Sequence, residues 1–323
     1  MRALLIYNPA AGRQRYRQQL PAAVTLLEGA GWTVDRAPTQ GPGHASQLAR
    51  QACAQGYDVA LVAGGDGTIN QAADGLISAG RSGLPVAALG ILPMGTANVL
   101  ARDLGMPVAG PIPGDPLQAA ARLLLESRVV QVDAGLADNG EQQRVFVCWA
   151  GVGVDAAITA HVEANPQVKR RIGPLSFALS ALAQTGHLIR RPRFAVKVDG
   201  QAWHGKALLL VASNIQHYAI VLDMAPEARL NDGRLDVALF HSTNLYQTVK
   251  QLWLLRRGQH IDRPDVSYAQ ACRVEIATDR PEHVHLDAEP FDTTPVTLEV
   301  LARSLPMLLP PSSAARRLVG TQA

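Results

Sequence analysis

"LVAGGDGTINQAADGL", residues 61–76, sets three glycines around Asp66, follows them with Thr68, and then takes on helical spacing. The run before it, Tyr57–Ala63, is apolar except for Asp58 and reads as a buried strand. Strand, glycine turn and helix together make a phosphate cradle: glycine lets backbone amides approach closely, and a helix start offers unpaired N–H groups at its positive end. Thr68 can cap that helix or donate its hydroxyl to phosphate. Asp66 repels bare phosphate, so it suits a metal, a metal-bound water or a ribose hydroxyl. The alternative is an ordinary strand–helix turn. The usual phosphate-loop lysine is missing; the chain has four lysines, and none precedes Lys169.

The surrounding pattern places this loop among others like it. Strand-like runs at 3–8, 32–37, 58–63 and 85–92 alternate with helical ones, which predicts βαβ units and a mostly parallel sheet. Ligands of such sheets sit beyond the carboxyl ends of the strands. There this chain has "NPAAGR" (8–13), "TQGPGHA" (39–45), "GGDGT" (64–68) and "PMGTAN" (93–98). Asn8, Thr39, Gly95, Thr96 and Asn98 are therefore candidate phosphate or nucleotide contacts beside Gly64, Gly65, Asp66, Gly67, Thr68, Ile69 and Asn70. Arg13 is a candidate charge partner. After "GPIPGDP" (110–116) and one helix, the runs become short and alternating, which predicts a β-rich second domain. The expected division is an α/β domain over 1–128, completed by about 303–312, a β-rich domain over 129–302, and a loose tail over 311–323.

A hydrophobic fraction of 47% with 18% charged residues fits an ordered protein, and a net charge of +3 does not call for nucleic acid. Cys53, Cys148 and Cys272 have no paired spacing and read as buried thiols in a reducing compartment. The first residues read as strand and turn rather than a signal peptide. Residues 172–189 lack charge but are diluted by Pro174, Gly173, Gly186, Gln184 and His187, so a spanning helix is not expected. Basic residues flank that stretch: Lys169, Arg170 and Arg171 before it, Arg190, Arg191 and Arg193 after it. "NLYQTVKQLWLLRRGQH" (244–260) reads as a helix with Leu245, Val249, Leu252 and Trp253 on one side and Arg256–Arg257 at its end. That stripe serves either core packing or a membrane interface.

Two phosphate-site matches are decoys. "GQAWHGKA" (200–207) sits at an Asp-Gly hairpin turn and has Ala207 where a hydroxyl belongs. "GVGVDA" (151–156) lies in the β-rich half without a βαβ unit. Two further stretches carry alternatives. "HVHLDAEP" (283–290) puts His283, His285, Asp287 and Glu289 on one strand face if the strand stays regular, as a solvated face, a metal set, or a base with an orienting neighbour. Asp232–Gly233 is either a plain turn or a carboxylate for a hard cation.

Taken in order, "NPAAGR", "TQGPGHA", "GGDGTINQAADGL", "LGILPMGTANVLARDLGMP", "AGVGVDA", "APEARLNDGRLDV" and "LDAEP" resemble the diacylglycerol-kinase-type lipid kinases, the bacterial group related to sphingosine and ceramide kinases. The resemblance implies an α/β nucleotide domain and a β-sandwich-like domain with the active site between them. It implies ATP as substrate with Mg2+, bound through Asn8, Thr39, the 64–70 loop and Thr96. It implies Glu289 as general base beside Asp287, with Asp66 serving catalysis. It also implies a structural cation (Mg2+, or Ca2+) near Asp232 and the carbonyls of Arg229 and Arg234. The partner is then a lipid hydroxyl at a membrane surface, reached by a cytoplasmic, peripherally associated enzyme. The family has glycine where this chain has Ala288, which bears on the loop geometry. An NAD kinase-like soluble kinase and a non-catalytic lipid- or nucleotide-binding regulator are the alternatives.

Overall fold

The computed structural model describes residues 1–9, 14–109, 114–157, 159, 191–218, 222–241 and 245–319. Arg13, the 172–189 stretch and most of its basic flanks lie outside these. Two compact units are formed: Met1–Ala134 with Arg229–Asp232 and Ala302–Ala323, and Gly135–Ala228 with Gly233–Leu301.

The first unit starts as β1 (Arg2–Tyr7), α1 (Gln14–Gly29), β2 (Thr33–Pro38), α2 (His44–Ala54), β3 (Val59–Gly64), α3 (Asp66–Arg81) and β4 (Ala88–Pro93). Then come α4 (Val99–Asp103), α5 (Pro116–Leu125) and the start of β5 (Arg128–Asp138). β2, β1, β3 and β4 pair in that order and run parallel, as the βαβ alternation predicts. β3 and β4 are buried along their whole length, so they read as continuous apolar runs rather than alternating ones. α5 is opened by Asp115, whose carboxylate accepts from Gln118 N–H at 3.0 Å, with Pro116 in the first turn.

The second unit continues with β6 (Gln143–Phe146), β7 (Trp149–Gly153), β8 (Arg193–Val198), β9 (Gln201–Lys206), β10 (Leu209–Ser213), β11 (His217–Tyr218), β12 (Leu222–Asp223) and β13 (Leu235–Phe240). It is completed by α6 (Leu245–Leu255), β14 (Val266–Ala271), β15 (Arg273–Thr278), β16 (His283–Leu286), β17 (Glu289–Thr293) and the start of β18 (Val296–Leu309). All of its pairings are antiparallel: β14-β13-β10-β7-β16-β17 in one layer, and β18, β15, β8 and β9 in the other. Val196, Val198, Val274, Ile276 and Leu298 of one layer and Val152, Leu210, Val237, Leu239 and Leu286 of the other share one buried cluster, which makes a sandwich. Residues 199–200 form a two-residue hairpin loop with positive φ at both positions, so "GQAWHGKA" is the hairpin that the Asp-Gly pair predicts.

Three expectations need correction. The C-terminal stretch is not a loose tail through Val319. After the last part of β18, which pairs with β4 at Met307↔Leu89, α7 (Ser313–Val319) buries Ala315, Leu318 and Val319. It is held because Ser312 Oγ donates to Leu104 O and because Leu230 N–H donates to Leu318 O at 2.7 Å. Second, Cys272 is exposed, whereas Cys53 and Cys148 are buried. Third, the helix after the glycine turn begins at Asp66, with Gly65 as its N-cap, so Thr68 is inside its first turn rather than capping it.

Candidate active site

Parallel pairing brings the candidate loops of the first unit to one edge. Tyr7 lies beside Pro38 and Ala63, and Gly64 beside Pro93, so all four strands end at the same level. The chain leaving each strand stays bonded to its neighbour: Thr39 N–H to Tyr7 O (2.8 Å), Asn8 N–H to Ala63 O (3.3 Å) and Met94 N–H to Gly64 O (2.8 Å). β1 has β2 on one side and β3 on the other, so the strand order reverses there, and such a reversal opens a crevice at the carboxyl edge. Asn8, Thr39, Gly64 and Gly65 flank it.

Two glycines let the loops touch. A Cβ on Gly95 would stand 2.5 Å from Gly65 Cα, and one on Gly64 2.7 Å from Thr68 Cβ. The α3 N-terminus carries no side-chain cap; Thr68 N–H donates to Gly65 O at 3.0 Å, and the positive end of the helix favours an anion. Thr96 is exposed on the neighbouring loop, while Ile69 and Asn70 are buried below. Asn98 is engaged within its own loop. It sits in the left-handed region, its Nδ2 donates to Gly95 O and its Oδ1 accepts from Gly95 N–H, both at 2.8 Å. Asn98 therefore shapes the loop.

Asp66 also ties loops together. Its Oδ1 accepts Val99 N–H at 2.7 Å, at the start of α4. Burial pushes its carboxyl up from the usual carboxylate range, and main-chain donors at 98–100 pull it part of the way back. This oxygen ties the glycine turn to the start of α4.

In the second unit, "HVHLDAEP" does not stay a regular strand. β16 ends at Leu286 and β17 begins at Glu289, with Asp287 (φ 50°) and Ala288 (φ 63°) as a two-residue loop between them. Positive φ at both central residues is the requirement of a type I′ turn. His283, His285, Asp287 and Glu289 are thus not on one face: His283 is exposed, His285 and Asp287 are buried, and Glu289 is on the returning strand, half-buried.

The two carboxylates of the turn have different environments. Asp287 accepts from Val147 N–H through Oδ2 (2.8 Å) and from Cys148 and Trp149 N–H through Oδ1 (2.9 Å each). Its own N–H donates to Trp149 O. A carboxylate with three main-chain donors serves the turn as an anchor. Glu289 is fixed through its main chain, because the Arg144 guanidinium donates to Glu289 O and Pro290 O at 3.1 Å each.

Comparison with known proteins follows the same division. The family model for the diacylglycerol kinase catalytic domain matches residues 2–137, and that for the YegS C-terminal NAD kinase beta sandwich-like domain matches 149–309. The chain is 27% identical to a diacylglycerol kinase of Staphylococcus aureus (strain MRSA252) over 309 residues, 96% of this chain and 92% of that one. It is 28% identical to the diacylglycerol kinase of Bacillus subtilis (strain 168) over 313 residues, 97% and 98% of the two chains. The chain thus matches the diacylglycerol kinase catalytic domain and the beta sandwich-like domain, in that order. The crystal structure of a diacylglycerol kinase from Bacillus anthracis (strain Sterne) shares the fold, with a TM-score of 0.70 at 22% identity over 96% of this chain and 97% of that one.

Against the metal sites that this family resemblance implies, the residues present answer unevenly. Asp232 precedes Gly233, whose φ of 73° is the turn conformation that the Asp-Gly pair favours, and a carboxylate there is of the oxygen-donor kind that hard cations take. Among the described residues no group of three or more His, Cys, Asp or Glu could hold a metal.

One polar cluster of the second unit went unread in the sequence. Tyr218 Oη donates to Asp155 Oδ2 at 2.9 Å, and His285 Nε2 lies 3.1 Å from each of those two oxygens. Burial, then the Asp155 charge, push the Tyr218 hydroxyl well above its usual range. Gly151 makes the cluster possible, since a Cβ there would stand 2.2 Å from His285 Nε2. The signal was present in "GVGVDA", a poor dinucleotide motif but a strand whose glycine admits a histidine from the next strand.

Proposed function

We propose that the protein is an ATP-dependent lipid kinase that transfers the γ-phosphoryl group of ATP to the hydroxyl of diacylglycerol or a closely related lipid. What carries this reading is the carboxyl edge of the parallel sheet, with its glycine contacts and an uncapped helix start. ATP phosphates are taken by the first-turn N–H groups of α3 and the hydroxyls of Thr68 and Thr96, with Asn8 and Thr39 nearby. This set of donors stands in for the missing lysine. ATP enters as its magnesium complex, in which the ion neutralises charge on the phosphoryl oxygens. Glu289 is the general base. Asp287 is consumed by three main-chain donors, which leaves Glu289 as the carboxylate of the turn able to take the proton of the attacking hydroxyl. Asp66 and Asn98 act as positioning residues for the two glycine loops. A cation near Asp232 has a structural part in this reading. The lipid comes from a membrane surface, which makes the enzyme a peripheral, cytoplasmic one.

The test is phosphate transfer from labelled ATP to a lipid panel in detergent micelles, with NAD as a soluble acceptor. Glu289→Gln is expected to lower lipid labelling by roughly 10²–10⁴-fold with ATP binding retained. Labelling of NAD alone would replace this reading with the soluble kinase. Full activity in Glu289→Gln would remove the base from the mechanism.

A further inference from the structure

We infer that the outward side of α6 and the turn that follows it, formed by Lys250, Trp253, Arg256 and Arg257, is the surface by which this protein docks on an anionic lipid bilayer. The inference deepens the lipid-kinase reading and rests on it for the need to reach a membrane. Its observations are independent of the nucleotide loops.

Trp253 is 53% exposed, whereas Trp32 and Trp149 are buried. Other exposed large apolar side chains among the described residues are Met1, Leu125 and Val129, all outside this unit. The inward side of the same helix is closed: Gln251, Leu254 and Leu255 are buried, and Gln251 donates to Asp265. Trp253 therefore departs from the core stripe that the apolar spacing suggested. Positions 250 and 253 fall on one helical face, and Arg257 follows in the turn beyond the helix. The Arg257 guanidinium stands 3.8 Å from the centre of the Trp253 ring, so the face joins a flat aromatic body to a cation.

Charge complementarity decides the occupant. Among the described residues Lys250, Arg256 and Arg257 have no carboxylate partner, in contrast to Lys197 with Glu275 and Arg273 with Glu299. Cations at a helix end are favoured by the helix dipole, but the dipole gives no reason for a half-exposed tryptophan. Tryptophan with adjacent arginines is the composition of an interfacial segment, its ring at headgroup level and its cations on lipid phosphates. No described helix is long and apolar enough to cross a membrane.

The experiment is sedimentation of the full chain with two kinds of vesicle, pure phosphatidylcholine and phosphatidylcholine with a third phosphatidylglycerol, at low and high salt. Wild type is expected to bind the anionic vesicles, less so at high salt. Arg256→Ala/Arg257→Ala is expected to lower that binding roughly 30-fold, at about fivefold per cation, and Trp253→Ala roughly tenfold. Unchanged melting temperatures show that the variants are folded. Binding that is equal in wild type and all variants overturns the proposal, as does a wild type that sediments with neither vesicle but is retained on an immobilised acidic protein. Transfer of phosphate by wild type to detergent-dispersed diacylglycerol tests the kinase reading separately. Docking that depends on Trp253 in a protein without lipid kinase activity supports this surface and removes only that reading.

Discussion

Ala288 stands where the type I′ turn needs a left-handed residue, at φ 63°. A side chain there costs about 1–2 kcal/mol relative to glycine, partly offset by glycine's greater freedom when unfolded. Ala288→Gly is therefore expected to stabilise the protein by about 1 kcal/mol, seen as a rise of about 2–4 °C in melting temperature. A fall would show that the turn has another conformation. The neighbouring carboxylates predict opposite outcomes. Asp287→Ala strands three main-chain donors, at about 1–3 kcal/mol each, and should lower the melting temperature sharply. Glu289→Gln should leave it nearly unchanged. If Asp287→Ala melts like wild type yet lacks activity, Asp287 returns to the catalytic group. The sequence identified this pair as chemically important. It did not separate anchor from base, because that depends on Val147, Cys148 and Trp149, more than a hundred positions away.

At the scale of elements, α2 and α3 illustrate what spacing cannot show. Both have apolar positions at helical period, and both helices form. Their close approach is decided by Gly75, where a Cβ would stand 2.1 Å from Ser46 O. Polar pairs continue the contact from Ser46 Oγ to Asp74 (3.1 Å) and from Arg50 to Ser78 (2.7 Å). Alanine for glycine inside a helix ordinarily gains about 1 kcal/mol. Gly75→Ala should instead cost about 1–3 kcal/mol through overpacking, measurable by urea unfolding; a more stable variant would mean that the helices separate readily. β14 gave no sequence signal for a related reason. It is an edge strand with four intermediate positions in the middle, so its alternation is blurred.

At the scale of the whole molecule, buried polar groups set the response to pH. His260 is fully buried, stacks on Phe240 at 5.7 Å and bonds Met224 O through Nε2 at 2.9 Å. Burial lowers its pKa, against the opposing pull of Met224 O and the Asp223 charge. Its neutral form is thus the folded form, while the unfolded chain binds a proton as pH falls through about 6.5. The associated stability is complete above that pH and is lost as pH falls toward the lowered folded value, at no more than about 1.4 kcal/mol per pH unit. Melting temperature between pH 7 and 5 should fall less steeply in His260→Gln than in wild type. Equal slopes would assign the acid sensitivity to other groups.

Local chemistry determined much of this protein. Strand runs, glycine turns and helical periods are set by residues adjacent in the chain, so the α/β first half, the β-rich second half and the order of the candidate loops were legible without coordinates. Tertiary structure alone decided which polar groups are spent on the fold and which remain for chemistry. Asp66 caps a helix thirty-three positions on, Asp287 holds three distant N–H groups, and Asp155, Tyr218 and His285 meet across strands. The reason is physical: a hydrogen bond or a buried charge depends on what lies within about 3 Å in space, and a sequence orders its residues only along the chain.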